Sequence, residues 1–70
     1  MIFTIDGKQL EQILIAKRWD ARDLARAADI SEAGARLAIT PEGRRFRPKT
    51  IYALADALGV EPSRFAVVEG

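Results

Sequence analysis

Apolar positions fall at strand spacing at both ends of the chain and at helical spacing in four stretches between. Residues 1–5 (Met-Ile-Phe-Thr-Ile) are apolar and β-branched, the pattern of a short strand. Asp6 follows, with Gln9 three residues on at capping-box spacing. Leu10, Ile13, Leu14 and Lys17 then line one helical face, Lys17 by its aliphatic stem, so a first helix is predicted over residues 7–18. Trp19 and Asp20 interrupt it. Asp20 is a good N-cap, and Leu24, Ala25 and Ala28 mark the inner stripe of a short second helix. Asp29-Ile30-Ser31 reads as a tight connection, made of an αL-tolerant Asp, an apolar plug and a Ser N-cap. A third helix over residues 32–39 turns Ala35 and Ala38 inward, and Thr40-Pro41-Glu42-Gly43 is a turn. An exposed basic loop follows. Pro48 opens a fourth helix with the stripe Ile51, Leu54, Ala55 and Leu58, and Gly59 stops it. The turn 60–64 lets Phe65 fold back into a last short strand, 65–68.

The expected fold is mainly α: one domain over 1–70, a compact bundle of four to five short helices with a helix-turn-helix and short terminal β-strands. These strands can pair with each other or across a two-fold axis, and pairing within the chain is favoured. Seventy residues bury only about 60 % of the surface of the unfolded chain, so stability depends on good packing or a partner. The 49 % apolar content, rich in alanine, suits close helix packing or a dimer, and the 30 % charged content in a mixed pattern argues against disorder.

Chemistry is bounded by what is missing. With no Cys and no His there is no disulfide, thiolate site or cysteine nucleophile, and no imidazole for metal or acid–base work. No Gly-rich phosphate loop and no paired carboxylates in a plausible pocket remain for catalysis, so neither enzymatic activity nor a cofactor is expected. No apolar run approaches a membrane span and Met1 is not followed by a secretory leader, which places the chain in the cytoplasm, away from membranes. Net charge is only +1, yet four of the eleven basic residues (Arg44, Arg45, Arg47, Lys49) share one short window.

Two short helices joined by Asp29-Ile30-Ser31 make a tight helix-turn-helix. The stretch from Trp19 through Leu24-Ala25 to Asp29-Ile30-Ser31 resembles the lambda-repressor-like (Xre/Cro) pattern. Ile51-Tyr52-Ala53-Leu54-Ala55-Asp56-Ala57-Leu58-Gly59-Val60-Glu61-Pro62-Ser63-Arg64-Phe65 is similar to that family's closing helix and turn, the more specific of the two matches. The likeness covers residues 7–65. It implies a transcriptional regulator that binds two-fold-symmetric double-stranded DNA as a homodimer, with its third helix in the major groove.

Carried onto this chain, the resemblance makes Glu32, Ala33, Arg36 and Leu37 the base-reading positions. Glu32 can accept from a cytosine amino group, Ala33 can touch a thymine methyl, and Arg36 is the strongest reader. Arg36 can equally pair with Glu32 one turn earlier. Lys17, Arg18 and Arg22 lie where the family meets the DNA backbone, and the amides opening helix two can hold a phosphate, with Asp20 competing for them. The loop before Pro48 is longer than is usual in the family. Its Arg44, Arg45 and Arg47, with Lys49, form a phosphate clamp on the functional reading and a solvated loop on the plain one. Phe46 can stack on a base, but is favoured as an anchor of the loop to the core. Trp19 is expected in the core, and Tyr52 exposed or in a dimer contact.

Only five residues follow Phe65, so a stand-alone regulator is expected: a repressor, a phage or mobile-element switch, or an antitoxin that also binds a protein partner. The alternative is a helix-turn-helix scaffold used for protein–protein interaction, favoured by the apolar and acidic face of Glu32, Ala33 and Leu37.

Overall fold

The computed structural model of the chain describes residues 2–69; Met1, expected in the first strand, lies outside them, as does Gly70. The order of elements is β1 (Ile2–Ile5), α1 (Gly7–Lys17), α2 (Ala21–Ala28), α3 (Glu32–Ala38), β2 (Arg44–Phe46), α4 (Pro48–Leu58), a 3-10 turn (Pro62–Arg64) and β3 (Ala66–Glu69). Four helices and a small sheet match the predicted class, with one correction. The basic window read as an exposed loop is partly a strand, and it completes a three-stranded antiparallel sheet of order β2-β1-β3.

That correction follows from tertiary pairing. β1 pairs with β3 through Phe3↔Val68, Thr4↔Val67 and Ile5↔Ala66, so the terminal strands close within one chain. The other edge of β1 is then left with unpaired amides and carbonyls. Phe3↔Phe46, Thr4↔Arg45 and Ile5↔Arg44 satisfy it. Gly43, at φ 74°, supplies the positive φ that turns the chain into this pairing.

The helix ends are set by local chemistry. Asp6 caps α1 by accepting from the Lys8 and Gln9 amides at 3.1 and 3.3 Å, and its own amide donates to the Phe65 carbonyl at 2.7 Å. α1 ends one residue earlier than expected, because Arg18 turns left-handed (φ 61°) and Trp19 N–H reaches back to Leu14 O. Asp20 caps α2 reciprocally. Its Oδ1 accepts from Asp23 N–H at 2.9 Å while Asp23 Oδ2 accepts from Asp20 N–H at 3.0 Å. Asp29 is left-handed as predicted (φ 56°), and Ser31 Oγ accepts from Gly34 N–H. Gly59 (φ 69°) ends α4.

The amide of Asp23, aided by the Asp23 side chain and Arg22, holds the Asp20 carboxyl below its ordinary 3.8 despite some opposing desolvation. A depressed folded value means the contribution is complete above the ordinary value and is lost as pH falls from there through the folded value. Asp20→Asn keeps an acceptor but cannot titrate. Thermal midpoints recorded through the acid limb, below about pH 4, should therefore fall less steeply in the variant than in the parent. Parallel limbs would show that this cap does not couple to pH.

The buried stripes meet in one core. Leu10 and Leu14 of α1, Leu24, Ala25 and Ala28 of α2, Ala35 and Ala38 of α3, and Ile51, Leu54, Ala55 and Leu58 of α4 pack beneath Phe3, Ile5, Phe65 and Ala66. Each large side chain fully buried contributes roughly 1.5–3 kcal/mol. The alanines at the α2–α3 contact let the two helices approach closely, which fixes the direction of the outward face of α3. Trp19 is half-buried and packs on the rim of this core, and Phe46 packs on it as an anchor. No helix among the described residues is long and apolar enough to cross a membrane.

Candidate nucleic-acid interface

With Ala35 and Ala38 at the core, α3 turns Ala33, Arg36 and Leu37 outward as one i, i+3, i+4 surface. Arg36 is 68 % exposed in its side chain and Leu37 43 % overall, so the sheet does not cover this face. Thr40 closes the helix by donating its hydroxyl to Arg36 O at 3.0 Å.

Glu32, at the head of α3, is less exposed and is fully engaged. Arg36 Nη2 donates to its Oε2, and Arg22 Nε of α2 stands 3.6 Å from its Oε1. Of the two readings of Arg36, the i,i+4 pair is present in the structure. One N–H of a five-donor guanidinium is used in it, so most of the fork remains open to another acceptor. The second arginine of the cluster has no simple sequence signal. Arg22 and Glu32 are ten positions apart and meet only because the turn folds α3 onto α2.

Lys17, Arg18 and Arg22 are exposed near the α1–α2 junction. Lys17 does not line the core seam by its stem as expected; its ammonium sits 5.5 Å from the centroid of the Trp19 ring, a cation–π placement. Arg18 holds the left-handed corner. The amides at the start of α2, weighed as a phosphate cradle, meet two carboxylates, and the Asp23 amide is already taken. That end of α2 is poorly suited to an anion.

The basic window is divided between elements. Directly paired residues of an antiparallel sheet share a face and successive residues alternate. Arg44, opposite buried Ile5, therefore lies on the face of the sheet that meets the helices, at its rim. Arg45, opposite Thr4 and in line with Val67, lies on the outer face. Arg47 is the N-cap residue of α4, with no side-chain cap bond, and Lys49 is in the first turn of that helix. All four residues are exposed, with Arg44 and Arg45 on opposite faces of the sheet. Tyr52 is 47 % exposed and sets its ring edge-on to Phe3 at 5.8 Å between centroids.

Comparison with known proteins agrees with this geometry. A model of the Cro/C1-type HTH DNA-binding domain matches residues 9–68. Two solved structures of PhpD share the fold, one described as native with cadmium atoms and one with cadmium complexed with hydroethylphosphonate. Each has a TM-score of 0.74 and 29 % identity over 94 % of this chain. The chain spans only 14 % of the length of those proteins. No curated protein matches it. Matched over nearly its whole length, the chain belongs to the Cro/C1-type helix-turn-helix DNA-binding family.

Proposed function

We propose that the chain is a sequence-specific double-stranded DNA-binding regulator of transcription, folded as one helix-turn-helix domain and acting in the cytoplasm as a homodimer. The observation that carries this reading is the outward face of α3, with Ala33, Arg36 and Leu37 open to solvent and Arg22 alongside. In a major groove Arg36 reads guanine, Glu32 accepts from cytosine, and Ala33 and Leu37 meet thymine methyl groups. Lys17, Arg18, Arg22, Arg44, Arg47 and Lys49 meet phosphates around that helix, with Arg45, on the outer face of the sheet, a lesser contributor. Repression is the simplest mode, since occupancy of an operator alone blocks a promoter. An antitoxin-like pairing with a second protein is compatible with it.

Selection of bound sequences from a random duplex pool tests this directly. An enriched palindrome is expected, its half-sites about one helical turn apart. On random duplex DNA, affinity should fall several-fold for each doubling of salt, as phosphate contacts require. Binding that ignores salt, or no binding near 50 mM salt, would refute the reading.

One observation favours a second reading, a scaffold for protein–protein contact. α3 carries one acid against one base, and Ala33 and Leu37 add apolar surface beside them. The PhpD chains add the precedent of a similar fold occupying a small part of a much longer protein. A salt-independent complex with another protein, together with an unenriched duplex pool, would establish this alternative.

A further inference from the structure

We infer that Glu32 is a specificity-determining residue that acts by charge, restraining Arg22 and Arg36 from indiscriminate phosphate binding. This inference rests on the DNA-binding reading and concerns the same face. Glu32 is the only acid on the outward side of α3, and both of its oxygens are engaged, Oε1 by Arg22 and Oε2 by Arg36. The three side chains come from both helices of the helix-turn-helix, and all remain open to solvent.

A carboxylate between two guanidiniums stands where a phosphate oxygen would otherwise be bound. It lowers the charge of the cluster from two positive to one, so α3 approaches a polyanion with less sequence-independent attraction. It also directs the Arg36 fork along the helix, which limits the acceptors the arginine can reach. A cytosine amino group can replace one of the arginines as donor to Glu32, whereas a phosphate can only be repelled by it. The acid therefore weakens contact with any backbone more than contact with the correct bases. Surface ion pairs of this exposure contribute little to folding, so the two arginine contacts are not explained by stability, whatever the acid adds at the start of the helix.

Glu32→Gln tests the inference because it keeps one acceptor oxygen for Arg36 and removes the charge, putting an NH2 donor in place of the other oxygen. Affinity for random duplex DNA at about 0.1 M salt should rise roughly three- to tenfold, and the slope of log K against log salt should steepen by about one, the effect of one extra phosphate contact. Preference for the sequence selected by the parent protein over random duplex should fall in the same proportion. A purely structural role for Glu32 would move the thermal midpoint and leave the salt slope unchanged. Glu32→Asp, which retains the charge, should keep the parent slope. If the parent binds duplex DNA and Glu32→Gln shows the same slope and preference, the inference fails and the DNA reading stands. If neither protein binds duplex DNA at low salt, both fail.

Discussion

Gly7→Ala should destabilise the domain by about 2–3 kcal/mol, a drop in thermal midpoint of roughly 10–20 °C for a chain of this size. Gly7 is the first residue of α1 and is buried, pressed against the chain that leaves α3. A Cβ placed there would stand 2.1 Å from the Thr40 carbonyl oxygen and 2.6 Å from the carbonyl carbon, and neither can swing aside because both are backbone. Relief requires α1 to lift from the bundle or the turn after α3 to move, and either loosens the support of the candidate reading helix. Gly34→Ala is the natural control. Its Cβ would meet only the Ser31 hydroxyl, at 3.1 Å, a group able to adjust, and alanine is the better helix former by up to about 1 kcal/mol. Thermal melts of the two variants should separate clearly. A Gly7→Ala midpoint within a few degrees of the parent would mean that the approach of α1 to Thr40 is not a constraint on the fold.

Gly7 also marks where sequence reading stops. The helix ends were legible because their causes are local: Asp6, Asp20 and Ser31 reach amides within three residues, and Asp29 and Gly59 take the left-handed turns their small or absent side chains permit. What depended on distant chain was not legible. Nothing in Gly7 itself announces the Thr40 carbonyl. Arg44-Arg45-Phe46 carries no β-branched residue and no apolar alternation, and it becomes a strand only because β1 has an edge to fill, a tertiary demand overriding local preference. Arg18 adopts a left-handed φ that sequence alone would assign to glycine or asparagine, because Trp19 must fold back onto the end of α1.

The candidate site divides along the same line. The Glu32–Arg36 pair follows from helical spacing alone and the outward position of Leu37 from the inward alanines. Arg22 joins the pair only through the geometry of the turn between α2 and α3. Grouping Arg44, Arg45, Arg47 and Lys49 as one clamp takes closeness in sequence for closeness of direction, whereas Arg44 and Arg45, as neighbours on a strand, alternate in direction.

That alternation makes the arginines separable in an experiment. On the proposed DNA reading, Arg36→Ala combined with Arg44→Gln should lower affinity for the selected sequence on the order of 100-fold. Arg36→Ala removes a base contact whose discrimination is about 1–3 kcal/mol, and Arg44→Gln removes one phosphate contact, roughly eightfold near 0.1 M salt. The single variants should differ in kind: Arg36→Ala relaxes preference at one position, while Arg44→Gln weakens all sequences alike and makes the salt slope shallower by about one. Arg45→Gln should change affinity less than about twofold, because its side chain leaves the outer face of the sheet, beside Thr4 and Val67, and only the residual long-range field is lost. Fluorescence anisotropy with one labelled duplex at four salt concentrations resolves all three. Equal losses for Arg44→Gln and Arg45→Gln would show that both reach the same duplex, and the alternation of β2 would then be no guide to which face of the domain meets DNA.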